Sequence, residues 1–430
     1  MKSSPSYRCV LVTLLSFIMM GAAVAAPAAP PAAPVDVNVD RPDGIYQAGQ
    51  EATFTVTTLP GVAPTEATAA FCVDGTTTIG TEALQLKGEP VRIKKTLDKP
   101  GQLICTIKYK TQNGDAISEA GAYFDPYAIK PATEVPADFD EFWARQKASL
   151  AGDYQAEVTP VESGRPNVDL FHVKIPMPDG PPVQGYMAKP HGAAPKSIGA
   201  VAYTHGAGVR SSNKPGPAMG MIAFDFNAHG IDDGQTKDFY TKLDKGELSD
   251  YRRRGWDKPE TVYFVGMYKR LLRAIDFLTK QPEWDGKNLI VFGGSQGGAQ
   301  AIAAGALDPR VSVVVAGIPA LCDLNGYKAG RYCGWPRSVA LGADGQPVNP
   351  TVAETARYID SVSLASRVKC DAFFMTGLID RTCMSNSVMP AYNSLQSQRK
   401  MIIFQPKLKH VFAGPDRRAA EKFITTNLRK

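Results

Sequence analysis

The 430-residue chain holds only five histidines and four tryptophans, and 21% of its residues are charged. It contains no Lys/Arg tract of five or more; the densest basic run is Arg252-Arg253-Arg254, and the net charge is only +6. A nucleic-acid partner therefore has little support. No C-x-x-C, H-E-x-x-H, G-x-x-x-x-G-K-[ST] or EF-hand pattern occurs, so nothing calls for a metal, a nucleotide or another cofactor. With 44% hydrophobic residues and neither a Gly-X-Y period nor sustained heptads, the composition excludes collagen, coiled coil and a disordered polyanion. Domains of roughly 150 residues, allowing for larger α/β units, predict two.

What is present begins with an address label. Lys2 and Arg8 precede an apolar run from Val10 to Met20, and Ala23-Val24-Ala25 supplies a small-residue cleavage site. Residues 1–25 are expected to be a signal peptide. The run is about half the roughly 20 residues that span a bilayer, so no stable membrane span is expected after cleavage. Losing Lys2 and Arg8 lowers the formal charge from +6 to +4. The mature protein is expected to be secreted or periplasmic. Residues 26–34 form a stiff Pro/Ala-rich leader that cannot bury a core.

Export gives the cysteines meaning, because an oxidising compartment permits disulfides. Cys72 with Cys105 and Cys322 with Cys333 are the expected bridges. Cys370 and Cys383 flank a predicted strand, Ala372 to Ile379, which would separate them by roughly 25 Å, beyond disulfide reach.

Residues 35–128 follow a period of two. Val35, Val37 and Val39 alternate with polar neighbours, as do Thr53 to Thr57 and Cys105 to Tyr109. Turn signals at Pro42-Asp43-Gly44, Leu59-Pro60-Gly61, Pro100-Gly101 and Asn113-Gly114 separate the runs. The spacing predicts a small immunoglobulin-like β-sandwich.

From 129 to 430 the pattern changes. A helix opens at Asp138-Phe139-Asp140-Glu141-Phe142-Trp143, and strands Val168–Ile175 and Val183–Ala188 flank a turn at Pro178-Asp179-Gly180. Apolar strands are then expected at Ile198–Tyr203, Met221–Phe226, Leu289–Phe292, Val311–Ala316, Ala372–Ile379 and Met401–Phe404. Between them, Phe264, Val265, Tyr268, Leu271, Leu272, Ile275 and Leu278 step by three and four along a helix from about Thr261 to Thr279. Continuous apolar strands alternating with helices predict a mostly parallel, doubly wound α/β sheet. Its ligand crevice lies beyond the carboxyl ends of the strands.

One such end carries Gly293-Gly294-Ser295-Gln296-Gly297-Gly298, a G-x-S-x-G turn between an apolar strand and an Ala-rich helix. Small residues are required there because side chains would collide with the strand and helix, and the turn lifts a serine Oγ into the crevice. Partners of such a nucleophile follow in the order acid, then histidine. His410 is the one histidine downstream of Ser295, so it is the expected base. Asp380, closing a strand, is the expected acid, with Asp323 the rival. His172, His191 and Asp308 are expected to be structural. The backbone N–H of Gln296 and of Ala207, the latter in Tyr203-Thr204-His205-Gly206-Ala207-Gly208, are expected to form an oxyanion hole. Tyr203 and Trp335 are candidates for the substrate pocket wall, with the loop Leu321–Trp335 beside them.

Together, Asp138–Trp143, His205-Gly206, Gly293–Gly298, Gly377-Leu378-Ile379-Asp380 and His410 resemble the acetyl xylan esterase/cephalosporin-C deacetylase family of α/β-hydrolases over about residues 130 to 430. The resemblance implies an α/β-hydrolase fold, the triad Ser295, Asp380 and His410, no metal, and deacetylation of small acetylated sugars or xylo-oligosaccharides. The chain departs from the family's pattern at Asn227-Ala228-His229-Gly230, where an Arg-Gly-Gln motif is usual, and at Val411, where a Glu is. Two rival functions are a peptidase of prolyl-oligopeptidase type and a carbohydrate-binding protein with a vestigial hydrolase domain. The first wants a propeller that about 90 residues cannot form; the second conflicts with an intact triad. Oligomeric state is left open.

Overall fold

The computed structural model describes residues 34–59 and 65–429. The expected signal peptide, the leader up to residue 33 and the turn at Pro60-Gly61 lie outside the described residues. Among the described residues no helix is long and apolar enough to cross a membrane.

The N-terminal strands are β1 (Val35–Val39), β2 (Ile45–Tyr46), β3 (Ala52–Thr58), β4 (Thr65–Val73), β5 (Thr77–Leu86), β6 (Val91–Lys95), β7 (Gly101–Thr111) and β8 (Gly114–Phe124). They form a three-stranded sheet, β1-β3-β6, and a five-stranded sheet, β2-β8-β7-β4-β5. Alternation puts Val35, Val37, Phe54 and Val56 from the first sheet against Phe71, Leu103, Cys105 and Ile107 from the second.

That register corrects the first expected disulfide. Cys105 pairs with Phe71 and Cys72 with Ile104, one position apart, so the two thiols stand on opposite faces of the sheet. The second is corrected too. Cys322 directs its thiol to the carbonyls of Pro319 and Ala320 at 3.5 and 3.4 Å, while Leu321 N–H donates to Trp335 O at 3.0 Å and closes the loop through backbone. All six cysteines among the described residues are free.

The rest of the chain begins with α1 (Phe139–Ala148), whose Phe139, Phe142 and Trp143 are buried. Then come β9 (Glu157–Val161), β10 (Val168–Ile175), β11 (Val183–Pro190), β12 (Ile198–Thr204) and β13 (Ile222–Phe226). Helices α2 (Lys237–Lys245) and α3 (Tyr263–Thr279) precede β14 (Trp284–Gly294) and α4 (Gln296–Leu307). The chain finishes with β15 (Val313–Gly317), α5 (Pro350–Ala356), α6 (Ser361–Ala365), β16 (Asp371–Gly377), α7 (Ser385–Ser394), β17 (Lys400–Gln405) and α8 (Pro415–Thr426).

One nine-stranded sheet runs β17-β16-β15-β14-β12-β13-β11-β10-β9. The six strands from β17 to β13 are mutually parallel, and β11, β10 and β9 continue antiparallel. Every residue of β13, β15 and β16 is buried, as continuous apolar strands covered on both faces require. Helices α3 and α4 cover one face, while Ala420 and Ile424 of α8 cover the other with Ile290, Val313, Val315, Phe373 and Met375. Strand order reverses between β12 and β14, and this switch point opens a crevice at their carboxyl ends.

Candidate active site

β14 ends at Gly294, and Ser295 follows with φ 58° and ψ −124° before α4 starts at Gln296. A positive φ at a non-glycine residue is costly, so neighbours must impose it. The Ser295 N–H donates to Gly317 O at 2.9 Å, and its carbonyl accepts from Ala320 and Ala299 N–H at 3.0 and 3.1 Å. The flanking glycines supply the room. A Cβ on Gly293 would lie 2.1 Å from Thr204 Oγ1, and one on Gly297 2.1 Å from Thr204 O.

Two further strand ends meet this turn. His410, on the loop after β17, has Nε2 2.8 Å from Ser295 Oγ and Nδ1 2.7 Å from Asp380 Oδ2. Asp380 is fully buried, and its Oδ1 accepts from the N–H groups of Thr382 and Cys383 at 2.7 and 3.0 Å. An ionised carboxylate only accepts, so Nδ1 carries the imidazole proton and Nε2 is left to accept from the serine hydroxyl. The chain of three can therefore draw a proton from Oγ and hold the resulting imidazolium. Asp323 is occupied elsewhere, with Oδ2 2.5 Å from Arg331 Nη2 and Oδ1 accepting from Ala132 N–H at 2.9 Å. Burial pushes its pKa up, against the Arg331 charge.

The loop after β12 borders the serine: a Cβ on Gly206 would come within 3.6 Å of Ser295 Cβ. Ala207 follows in this loop, and Gln296 begins α4 beside it. Beneath the loop lies a largely buried layer of His205, His229, Tyr251 and Tyr263. His205 donates from Nδ1 to Gly206 O at 2.6 Å and accepts Ala228 N–H at Nε2 at 3.0 Å. His229 accepts from Tyr263 OH at 2.8 Å and donates to Gly208 O at 3.3 Å. Tyr251 packs edge-on to His229 and donates to Gln296 Oε1 at 2.6 Å. Burial lowers the pKa of His205 to about 4 and of His229 to about 3, so both are neutral at pH 7 with donor and acceptor engaged. This layer ties Asn227–Gly230 to the loop that carries Ala207. Its signal in the sequence was the departure at His229, which alone named no role.

Of the pocket candidates, Trp335 donates its backbone N–H to Thr382 O at 2.7 Å and so abuts the Asp380 loop. Tyr203 is placed differently from expectation. Strand alternation turns its ring into the cluster under α8, edge-on to Phe292, which makes it a packing residue. The Cys383 thiol, which no motif marked, neighbours Ser295 and Asp380; burial and the Asp380 charge hold its pKa far above the usual thiol value. His191 bonds Asp169 at 2.9 Å, His172 stands 4.0 Å from Asp233, and Asp308 pairs with Arg310 at 2.7 Å. Among the described residues no three His, Cys, Asp or Glu side chains group as metal ligands.

Known proteins resemble the chain over most of its length. The family model described as acetyl xylan esterase (AXE1) matches residues 126–425. The acetyl esterase Axe7A of Xylanibacter ruminicola is 31% identical over 325 residues, covering 72% of this chain and 70% of that protein. Among solved structures, an acetyl xylan esterase from Paenibacillus sp. R4 is 27% identical with a TM-score of 0.58, over 70% of this chain and 98% of its own. Acetyl xylan esterase 1 from Thermoanaerobacterium sp. JW/SL YS485, 22% identical with a TM-score of 0.57, covers 70% and 97% and shares the fold.

Proposed function

Because the chain belongs to the acetyl xylan esterase family and is a carboxylester hydrolase, we propose that it removes acetyl groups from acetylated sugars or xylo-oligosaccharides by a two-step serine mechanism. The observation that carries this is the hydrogen-bond chain Asp380–His410–Ser295, with links of 2.7 and 2.8 Å at the strand ends.

His410 Nε2 takes the Ser295 proton as Oγ attacks the acetyl carbonyl, and Asp380 holds the imidazolium that forms. The N–H groups of Gln296 and Ala207 receive the oxyanion; losing one such donor typically costs about 10²–10³ in turnover. His410 then gives its proton to the departing sugar oxygen, leaving an acetyl-serine. Water, activated by the same imidazole, releases acetate and restores Oγ–H. No step needs a cofactor. Trp335, beside the acid loop, forms part of the sugar-facing wall.

The catalytic domain corresponds to residues 129–430, and residues 35–128 form an immunoglobulin-like module in front of it. Residues 1–25 direct the chain to the periplasm or beyond. Hydrolysis of p-nitrophenyl acetate, acetylated xylan and cephalosporin C by the purified protein and by Ser295→Ala tests the proposal. Activity on the acetyl esters that disappears in the variant is expected; undiminished hydrolysis by the variant sinks the serine assignment.

A further inference from the structure

The five-stranded sheet of the N-terminal sandwich is buried on both sides where it matters. Leu103, Cys105, Ala120 and Ala122 face the sandwich core, while Gln102, Ile104, Thr106, Glu119, Gly121 and Tyr123 alternate to the opposite face and are buried as well. That second face lies against the two loops that carry Asp380 and His410. Gln102 Nε2 donates to Leu378 O at 2.5 Å, Gly121 N–H donates to Pro406 O at 2.8 Å, and Tyr123 packs edge-on to Phe404. The approach is close enough that a Cβ on Gly121 would sit 2.4 Å from Leu378 O.

In this otherwise tight face stands one buried acid. The Glu119 side chain is 2% exposed, and its Oε1 accepts from Arg381 Nη1 at 2.6 Å and from Thr106 Oγ1 at 2.8 Å. Its Oε2 is buried without a hydrogen bond and faces the Lys409 ammonium at 3.4 Å. Arg381 directly follows Asp380, and Lys409 directly precedes His410. Arg381 also donates from Nε to Gly75 O, at 3.3 Å, so its guanidinium is held both from strand β8 and from the β4–β5 turn of the sandwich. A desolvated carboxylate is retained only when cations and donors compensate it, and here both cations come from the catalytic domain.

We propose that Glu119 is a positioning residue for the hydrolytic reaction: from the N-terminal sandwich it ties down the residues adjoining Asp380 and His410 and so fixes the acid and base loops relative to each other. The inference rests on the catalytic roles given above to those two side chains. Glu119 touches neither substrate nor reacting atoms and acts through Arg381 and Lys409. The sandwich thereby becomes part of the machinery that aligns the triad.

The test uses the full mature chain carrying Glu119→Gln, Arg381→Met, both together, or Lys409→Met. Steady-state hydrolysis of p-nitrophenyl acetate is measured beside the acylation rate of Ser295 by a fluorophosphonate and the thermal midpoint. Misplacing a catalytic group by about 1 Å costs on the order of 10², so Glu119→Gln is expected to lose about 10- to 100-fold in kcat with KM nearly unchanged. The fluorophosphonate rate falls in parallel. The double variant is expected to be no more than about threefold slower than Arg381→Met, because the carboxylate works mainly through that guanidinium and otherwise only through Lys409.

A folded Glu119→Gln with wild-type kcat, or losses that multiply in the double variant, overturns the proposal. Should Glu119→Gln fail to fold, Lys409→Met decides, since that side chain is 61% exposed. About a threefold loss in kcat at constant KM is expected there, and an unchanged kcat overturns the proposal. Ser295→Ala separates the two levels. If that variant stays active, the assignment of the site has failed; if it is dead while Glu119→Gln is normal, only the positioning role has.

Discussion

Replacing Asp380 by Asn is the sharpest perturbation of the site, because it changes one proton and almost no volume. Asp380 accepts three hydrogen bonds: two from Thr382 and Cys383 N–H at Oδ1 and one from His410 at Oδ2. In Asp380→Asn the amide oxygen can keep both backbone donors. Its NH₂ then replaces Oδ2 at 2.7 Å from His410 Nδ1 and can only donate. The imidazole must move its proton to Nε2, which meets Ser295 Oγ at 2.8 Å as a donor. Serine is left without a base. Such a tautomer error costs about 10⁴ in kcat, or about 5.5 kcal/mol at 1.36 kcal/mol per tenfold. Folding should change far less, because two of the three bonds and the packing survive. The assay is kcat on p-nitrophenyl acetate at pH 7, with a urea melt of the same preparation. A folded Asp380→Asn that keeps kcat within tenfold of wild type would refute the assignment of Asp380 as the orienting acid.

Three further outcomes follow from the same geometry. Gly297→Ala puts a Cβ 2.1 Å from Thr204 O, a backbone atom that cannot yield, and should destabilise by several kcal/mol, visible as a lower urea midpoint or loss of soluble protein. Tyr251→Phe removes the donor to Gln296 Oε1, whose Nε2 is already unpaired and buried; about 1–3 kcal/mol of stability is expected to go, together with part of kcat. The neutral burial of His205 and His229, with pKa values lowered to about 4 and about 3, means that the unfolded chain binds more protons below pH 6.5. Stability is therefore full above pH 6.5 and falls with pH, by about 2.5 kcal/mol per histidine at pH 4.5, so urea melts at pH 7.5 and 4.5 should differ by about 5 kcal/mol from this pair.

How much of this was legible depended on whether the determining physics was local. The elbow was, because the steric need for glycine at 293 and 297 is met by residues within a few positions or by one neighbouring strand. β13, β15 and β16 were, since strands buried on both faces leave uninterrupted apolar runs. The helix α3 announced itself by its period. The base followed from chain order and the acid from its place at a strand end, with Asp323 its rival; the structure joins Asp380 and His410 by a hydrogen bond. β9 escaped notice because it is an edge strand, Glu157–Val161, with no buried position. The Cys72–Cys105 pairing failed for a different reason. Strand register decides which face a thiol occupies, and a shift of one position between Cys72 and Cys105 is invisible until the strands are paired. Tyr203 failed likewise, through the side of its strand on which it falls.

The two halves of the site are secured by different means, and this explains why one was legible and the other was not. Ser295 stands at the end of β14, three strands inward from the sheet edge, and is locked by bonds to Gly317, which ends β15, and to Ala320 just past it. Asp380 and His410 follow β16 and β17, and β17 is the edge strand, paired on one side only. An edge leaves backbone groups unpaired and its terminal loop less constrained. The five-stranded sheet packs on the loops at this end: Gly121 N–H reaches Pro406 O just past β17, Gln102 reaches Leu378 O just past β16, and Glu119 reaches Arg381 across 262 residues of sequence. No local pattern near Glu119 could announce a partner so distant. The nucleophile thus depends on a turn its own neighbours enforce, whereas the alignment of acid and base depends on a second unit packed on the loops that carry them.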